Sequence, residues 1–168
     1  MTTETTTTPT TAPTTAATTA AADVDVVRAG FHAVASGDMA GFAAMFHPDA
    51  TWNHRNDDRL GGVKAGVAAI VDFLGESMTL TGGTLRPEPE IFMPSGAGHV
   101  AVLTRISGNR PDGRALDDTQ ILLFRLENAR VSAVDQFIGD PTAVTAFWAW
   151  NSLVKIERPN SLPTLLMR

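Results

Sequence analysis

The chain has 168 residues, 43% of them hydrophobic, with a formal net charge of -5 and no cysteine. That length suits one domain with a buried core, no apolar run is long enough to span a membrane, and the scattered basic residues lack the electrostatic footprint of a nucleic-acid binder. Without thiols there are no disulfides, thiolate metal sites or cysteine nucleophiles, which leaves a small molecule or another protein as the expected partner.

In chain order, residues 1–22 are rich in Thr and Ala with Pro9 and Pro13, too poor in apolar surface to order themselves, and are expected to form a disordered tail. No Lys or Arg precedes Arg28, so the charged start of a secretory signal is missing and a cytoplasmic location is expected. The domain proper is expected over 23–150, followed by an extension, 151–168, that carries Pro159 and Pro163. Val24, Val27, Phe31 and Val34 follow helical spacing, Gly37 supplies a stop, Asp38 can cap a second helix, and Met39, Phe42, Ala43 and Phe46 continue the apolar stripe. Pro48-Asp49 breaks that helix, and Ala50-Thr51-Trp52 opens a strand.

A polar loop, Arg55 to Arg59, should form a pocket rim ahead of an amphipathic helix that carries Val67, Ile70, Leu74 and Met78 on one side. Gly82-Gly83 marks a turn, and Thr84 to Met93, interrupted by Pro87 and Pro89, can only be an edge strand. His99–Ile106 and Ala115–Leu126 flank a Pro-Asp-Gly hairpin signal; a turn at Glu127–Ala129 leads to a strand from Arg130 to Phe137, and Asp140-Pro141 starts a last helix. Along the long strand, Leu116, Asp118, Gln120, Leu122, Phe124 and Leu126 share one face. Mixing carboxylate and amide with Leu and Phe fits a face that forms a cone-shaped pocket with an apolar base and a polar mouth.

The stretch from Phe31 to His54, with Gly37-Asp38, Phe46 and Asp49-Ala50-Thr51-Trp52, resembles the nuclear-transport-factor-2-like superfamily, and within it the SnoaL-like polyketide cyclases and ketosteroid isomerase. Leu60-Gly-Gly-Val-Lys-Ala-Gly66 and Gly139-Asp-Pro141 with Phe147-Trp148 extend the likeness over about Asp23 to Trp150. The resemblance implies an α+β fold, a curved antiparallel sheet wrapped with N-terminal helices into a cystatin-like α+β barrel. It also implies a homodimer formed through the outer sheet face. Aligned on the isomerase, His54 falls where a carboxylate base is kept, two residues beyond Trp52, and a neutral imidazole can do the same work. The alternative for His54 is a rim residue bonded to the Asp57-Asp58 loop or facing water. The isomerase's tyrosine and protonated acid correspond to Gly30 and Leu122, and the chain has no tyrosine, so that oxyanion hole is not expected.

The cyclases' Gln-x-His then Asp pattern becomes Gln120-x-Leu122 then Gln136 if Asn128 stays in the turn. A slip of one residue points Asp135 inward instead, and both registers remain open at this level. Limonene-type epoxide hydrolases place an Arg near Arg105 and an Asp at Gln136. The four histidines lack a metal-binding spacing, and neither a metal nor a cofactor is expected. The resulting expectation is a cofactor-free enzyme for a hydrophobic, polycyclic or polyketide-like substrate. Cyclisation or isomerisation would proceed by acid-base catalysis or by preorganisation, with His54, Asp135 and Gln136 as catalytic candidates. Trp52, Gln120, Leu122, Asp118, Phe124 and Arg105 would bind substrate. The alternatives are a ligand-binding or dimerisation module without chemistry, and an epoxide-hydrolase-like enzyme.

Overall fold

The computed structural model describes residues 15–150; the stretch before it and the extension 151–168 lie outside the described residues. Helices α1 (Thr15–Ser36) and α2 (Met39–Ala44) lead into β1 (Phe46–Arg55) and β2 (Gly62–Ala65), then α3 (Val67–Leu80), β3 (Arg86–Pro94), β4 (His99–Asn109), β5 (Ala115–Glu127), β6 (Arg130–Phe137) and α4 (Pro141–Trp148). Helix α1 starts eight residues upstream of the expected domain boundary. Ala16, Ala17 and Ala20–Ala22 are strong helix formers, and once the stripe at 24–34 is packed they extend the helix at little cost. Asp38 caps α2 by accepting from the Gly41 amide at 2.8 Å, and Asp140 caps α4 with Pro141 in the first turn.

Strand β1 starts at Phe46, ahead of the expected Ala50, because Pro48 and Asp49 sit in a register shift between Phe46 and Thr51, a place where a strand tolerates a missing amide donor. The four-residue β2 is too short to show alternation in the sequence and exists through its antiparallel pairing with β1, His54 opposite Gly62 and Thr51 opposite Ala65.

The sheet has the order β2-β1-β6-β5-β4-β3 and is curved but unclosed. The pattern is antiparallel except for β1 and β6, which run parallel. Every second residue of β4 and β5 is buried, Val100 to Ile106 and Leu116 to Leu126. That face packs under α1 and α3 through Val27, Phe42, Trp52, Ile70, Leu122 and Phe124. The prolines of β3 lie on the outer edge of the sheet, as their missing donors require.

The β5–β6 hairpin decides what faces inward. Asn128 and Ala129 adopt left-handed backbone conformations (φ 49° and 60°) in a two-residue turn, so Glu127 pairs with Arg130 and Leu126 with Val131. The next pair is Arg125 with Ala133: Ser132 is an extra residue in β6, a β-bulge, and its hydroxyl donates to the Arg125 carbonyl at 3.3 Å. Beyond the bulge Leu122 stands opposite Gln136. Uninterrupted pairing from the turn would have put Asp135 there. The bulge lets Val131 and Val134 both enter the core, three residues apart, and sends Asp135 to the outer face.

Inserting one alanine between Ala133 and Val134 should therefore bring Asp135 opposite Leu122 and carry its carboxylate into the core without its arginines. We expect a loss of about 3–5 kcal/mol in urea unfolding, against under about 0.5 kcal/mol for Ser132→Ala, which keeps the bulge.

Candidate functional site

The concave face, α1, α3 and the end of α4 enclose a cavity of about 80 Å³. Strand alternation supplies its sheet wall: Trp52 and His54 from β1, Gln120, Leu122 and Phe124 from β5, and Gln136 from β6. The helices add Gly30, Phe31, Ile70, Phe73 and Ser77, and Trp148 closes one side. Among the described residues no Asp, Glu, Lys or Arg lines it, and no three His, Asp or Glu side chains gather as a metal site.

The sheet wall carries a continuous hydrogen-bonded chain. The Trp52 indole donates to Gln136 Oε1 at 2.8 Å, Gln136 Nε2 donates to Gln120 Oε1 at 2.7 Å, and Gln120 Nε2 donates to Asp118 Oδ2 at 2.9 Å. Asp118 is held from behind by the backbone amides of Gly139 and Asp140, at 3.2 and 3.0 Å. Position 139 must be glycine, because a Cβ there would lie 2.2 Å from the Thr119 carbonyl oxygen. With both carbonyl oxygens already accepting, each glutamine keeps one N–H hydrogen uncommitted.

His54 stands beside this chain, paired in register with Gln136 on the parallel neighbour strand, and is only 3% exposed. Its Nε2 lies 3.1 Å from Asp58 Oδ2, its ring packs 5.8 Å from that of Phe73, and Nδ1 is buried with no partner among the described residues. The Asp58 side chain is fully inaccessible. Its Oδ1 accepts from the Leu60 amide at 2.7 Å, and its Oδ2 also accepts from Asn56 Nδ2, which reaches on to Thr145 of α4. Burial pushes the Asp58 carboxyl up, but the bond and charge of His54 and the donors from Asn56 and Leu60 outweigh it and hold its pKa below the usual value. An ionised carboxylate only accepts, so Nε2 carries a proton, and in the neutral ring Nδ1 presents a lone pair. The 56–61 loop is tied down by Lys64, whose ammonium donates to the Leu60 and Gly61 carbonyls at 2.8 and 2.7 Å. An Arg59–Glu76 ion pair at 2.8 Å fastens it to α3.

Trp52, His54, Gln120, Leu122, Phe124 and Gln136 thus line one cavity. Asp118 is buried on the same face but stands behind Gln120, where it holds the β6–α4 connection rather than contacting the cavity. Asp135 is on the opposite face of the sheet, bonded to Arg55 at 2.7 Å, to Asn53 and to Arg125, and these partners overcome burial to lower its pKa. It cannot pair with His54. Arg105 is also outside, in an exposed bidentate pair with Asp117 at 2.7 and 2.6 Å, so an Arg-and-acid set around water is not assembled in the cavity. The rim alternative for His54 is half right: it bonds the loop, yet it is buried. Asp58 entered the sequence reading only through that alternative, as part of the Asp57-Asp58 loop, and not among the site residues. Its spacing four residues after His54 was visible, but only the turn that folds the loop back turns that spacing into a contact. Gly30 and Leu122 do line the cavity, so the positions that correspond to the isomerase's two oxyanion donors offer none.

Residues 27–134 match the model of the SnoaL-like domain. The chain belongs to the SnoaL-like family. An uncharacterized protein of Mycobacterium tuberculosis is 32% identical over 128 residues, covering 76% of this chain and 97% of that one. Among solved structures, Bal32a from a soil-derived mobile gene cassette superposes with a TM-score of 0.75 at 29% identity, over 77% of this chain and 98% of Bal32a. A protein of unknown function from Xanthomonas campestris, described as having a cystatin-like fold, superposes with a TM-score of 0.71 at 27% identity, over 76% and 98%.

Asp58→Asn should lower stability by about 2 kcal/mol at pH 6. The carboxyl's folded pKa is depressed, so its contribution is complete above the unfolded value of about 3.9 and is lost as pH falls through the lower folded one. Urea unfolding of protein and variant at several pH values should show the gap narrowing as pH falls below about 4.

Proposed function

We propose that this SnoaL-like protein is a cofactor-free, cytoplasmic enzyme of natural-product metabolism that moves a proton within a hydrophobic, polyketide-like substrate during isomerisation or cyclisation. The observation that carries this reading is the buried His54, whose Nε2 is engaged by Asp58 while Nδ1 lacks a partner among the described residues. A substrate C–H beside a carbonyl gives its proton to Nδ1 and the bonding electron pair moves to the carbonyl oxygen. The free N–H groups of Gln120 and Gln136 bind the resulting enolate oxygen, and Asp58 stabilises the imidazolium. Returning the proton to another carbon isomerises the substrate; attack of the enolate carbon on a second carbonyl closes a ring. The apolar wall keeps water out and strengthens these contacts.

A second reading, a ligand-binding module without proton transfer, is favoured by Gly30 and Leu122 lining the wall where acidic donors would otherwise act. We also propose a homodimer through the outer sheet face, where Ile121 and Phe137 are 41% and 42% exposed next to the Arg55–Asp135–Arg125 cluster. Sedimentation at micromolar concentration should show two copies.

Exchange of α-protons of neutral ketones in D2O, followed by proton NMR, measures the base directly. His54→Gln should lower the exchange rate constant by about 10²- to 10⁴-fold while ligand affinity stays within a few-fold. If exchange stays within a few-fold in His54→Ala and Leu122→Trp abolishes binding, the ligand-binding reading holds instead.

A further inference from the structure

We infer that the natural ligand of this cavity is a neutral molecule with a body of about one six-membered ring that presents a carbonyl group to the two glutamines, rather than a multi-ring or anionic compound. The inference rests on the proton-transfer reading only for what happens to the ligand after it binds; its size and charge follow from the wall.

Size comes first. A volume of about 80 Å³ is roughly half that of a dry engineered cavity of about 150 Å³ that takes one benzene. The limits are rigid: the Trp52 ring packs on those of Phe73 and Phe124, with centroids 5.9 and 6.2 Å apart, and the indole is pinned by its bond to Gln136. One ring already needs side-chain shifts around the cavity, and a three-ring ligand would require breaking that bond and moving the core aromatics.

Charge comes second. The polar groups on the wall are His54, Ser77, Gln120 and Gln136, and Ser77 already donates to the Phe73 carbonyl at 2.8 Å. Carboxylates stand directly behind two wall residues, Asp58 bonded to His54 and Asp118 to Gln120, while Arg110, beside Trp148, is bonded to the Phe147 and Ala149 carbonyls. The ammonium of Lys64 is engaged by loop carbonyls. An anionic ligand would be desolvated close to these carboxylates, and Lys64 and Arg110, the cations beside wall residues, are already bonded to carbonyls. What the wall offers is two amide N–H donors and one imidazole lone pair, the complement of one carbonyl oxygen and one acidic hydrogen.

The test is a binding panel on the full chain, read by quenching of tryptophan fluorescence and by ligand-observed NMR. Its members are cyclohexanone, cyclohexanecarboxylate, 1-tetralone and anthrone. Saturable binding of cyclohexanone in the millimolar range or tighter is expected, with cyclohexanecarboxylate and anthrone at least tenfold weaker and 1-tetralone between. Equal or tighter binding of the carboxylate or of anthrone, or no binding of cyclohexanone, overturns the inference. His54→Gln in the same panel separates the two proposals. If cyclohexanone binds selectively but its α-protons do not exchange even in the unmodified protein, the ligand class stands and the base does not. If exchange is seen on anthrone and not on cyclohexanone, the base stands and the ligand class falls.

Discussion

One inserted residue, Ser132, sets the chemistry of the cavity. The tight turn at Asn128-Ala129 would by itself bring Asp135 opposite Leu122; the bulge advances β6 by one place and brings Gln136 there instead. A carboxylate at that position would need a counter-charge in a wall built of Trp, Phe and Leu. An amide can be satisfied there by neighbours, and it is, between the Trp52 indole and Gln120. The displaced carboxylate finds Arg55 and Arg125 on the other face, so the same shift satisfies both residues.

Seen this way the site has two polar systems with different purposes. The chain Trp52–Gln136–Gln120–Asp118 ends on two backbone amides of the β6–α4 connection, so it fixes side chains on three strands and locks the approach to α4. A fully satisfied buried network of this kind is rigid, and its uncommitted N–H hydrogens are held in place before any ligand arrives. The His54–Asp58 pair is left incomplete at one atom. A buried ring nitrogen without a partner costs stability, and such a cost is tolerated where the atom serves a ligand. The 56–61 loop holds Asp58 in place through Asn56, Leu60 and Lys64.

Much of the architecture was legible in the chain. Helical spacing at Val24, Val27, Phe31 and Val34, the caps Asp38 and Asp140, the prolines of β3 and the alternation of β5 are local signals, and each maps to its element. Departures occurred where a partner overrides local preference: β2 exists because β1 offers an edge, β1 begins before its proline because a register shift accommodates it, and α1 extends into an Ala-rich stretch that composition alone reads as tail. The family resemblance likewise placed His54, Gln120 and Leu122 on the pocket face, where the structure has them.

What the sequence determined by itself is the set of elements and the inward face of every regularly alternating strand, because period and capping are properties of neighbouring residues. It could not choose between Asp135 and Gln136, nor decide whether His54 bonds the Asp57-Asp58 loop or faces water, nor expel Arg105 from the site. A bulge, a loop closure and the curvature of a sheet arise from pairing between segments far apart in the chain. Their energies depend on which partners each buried polar group can reach, and those partners exist only once the tertiary structure has formed.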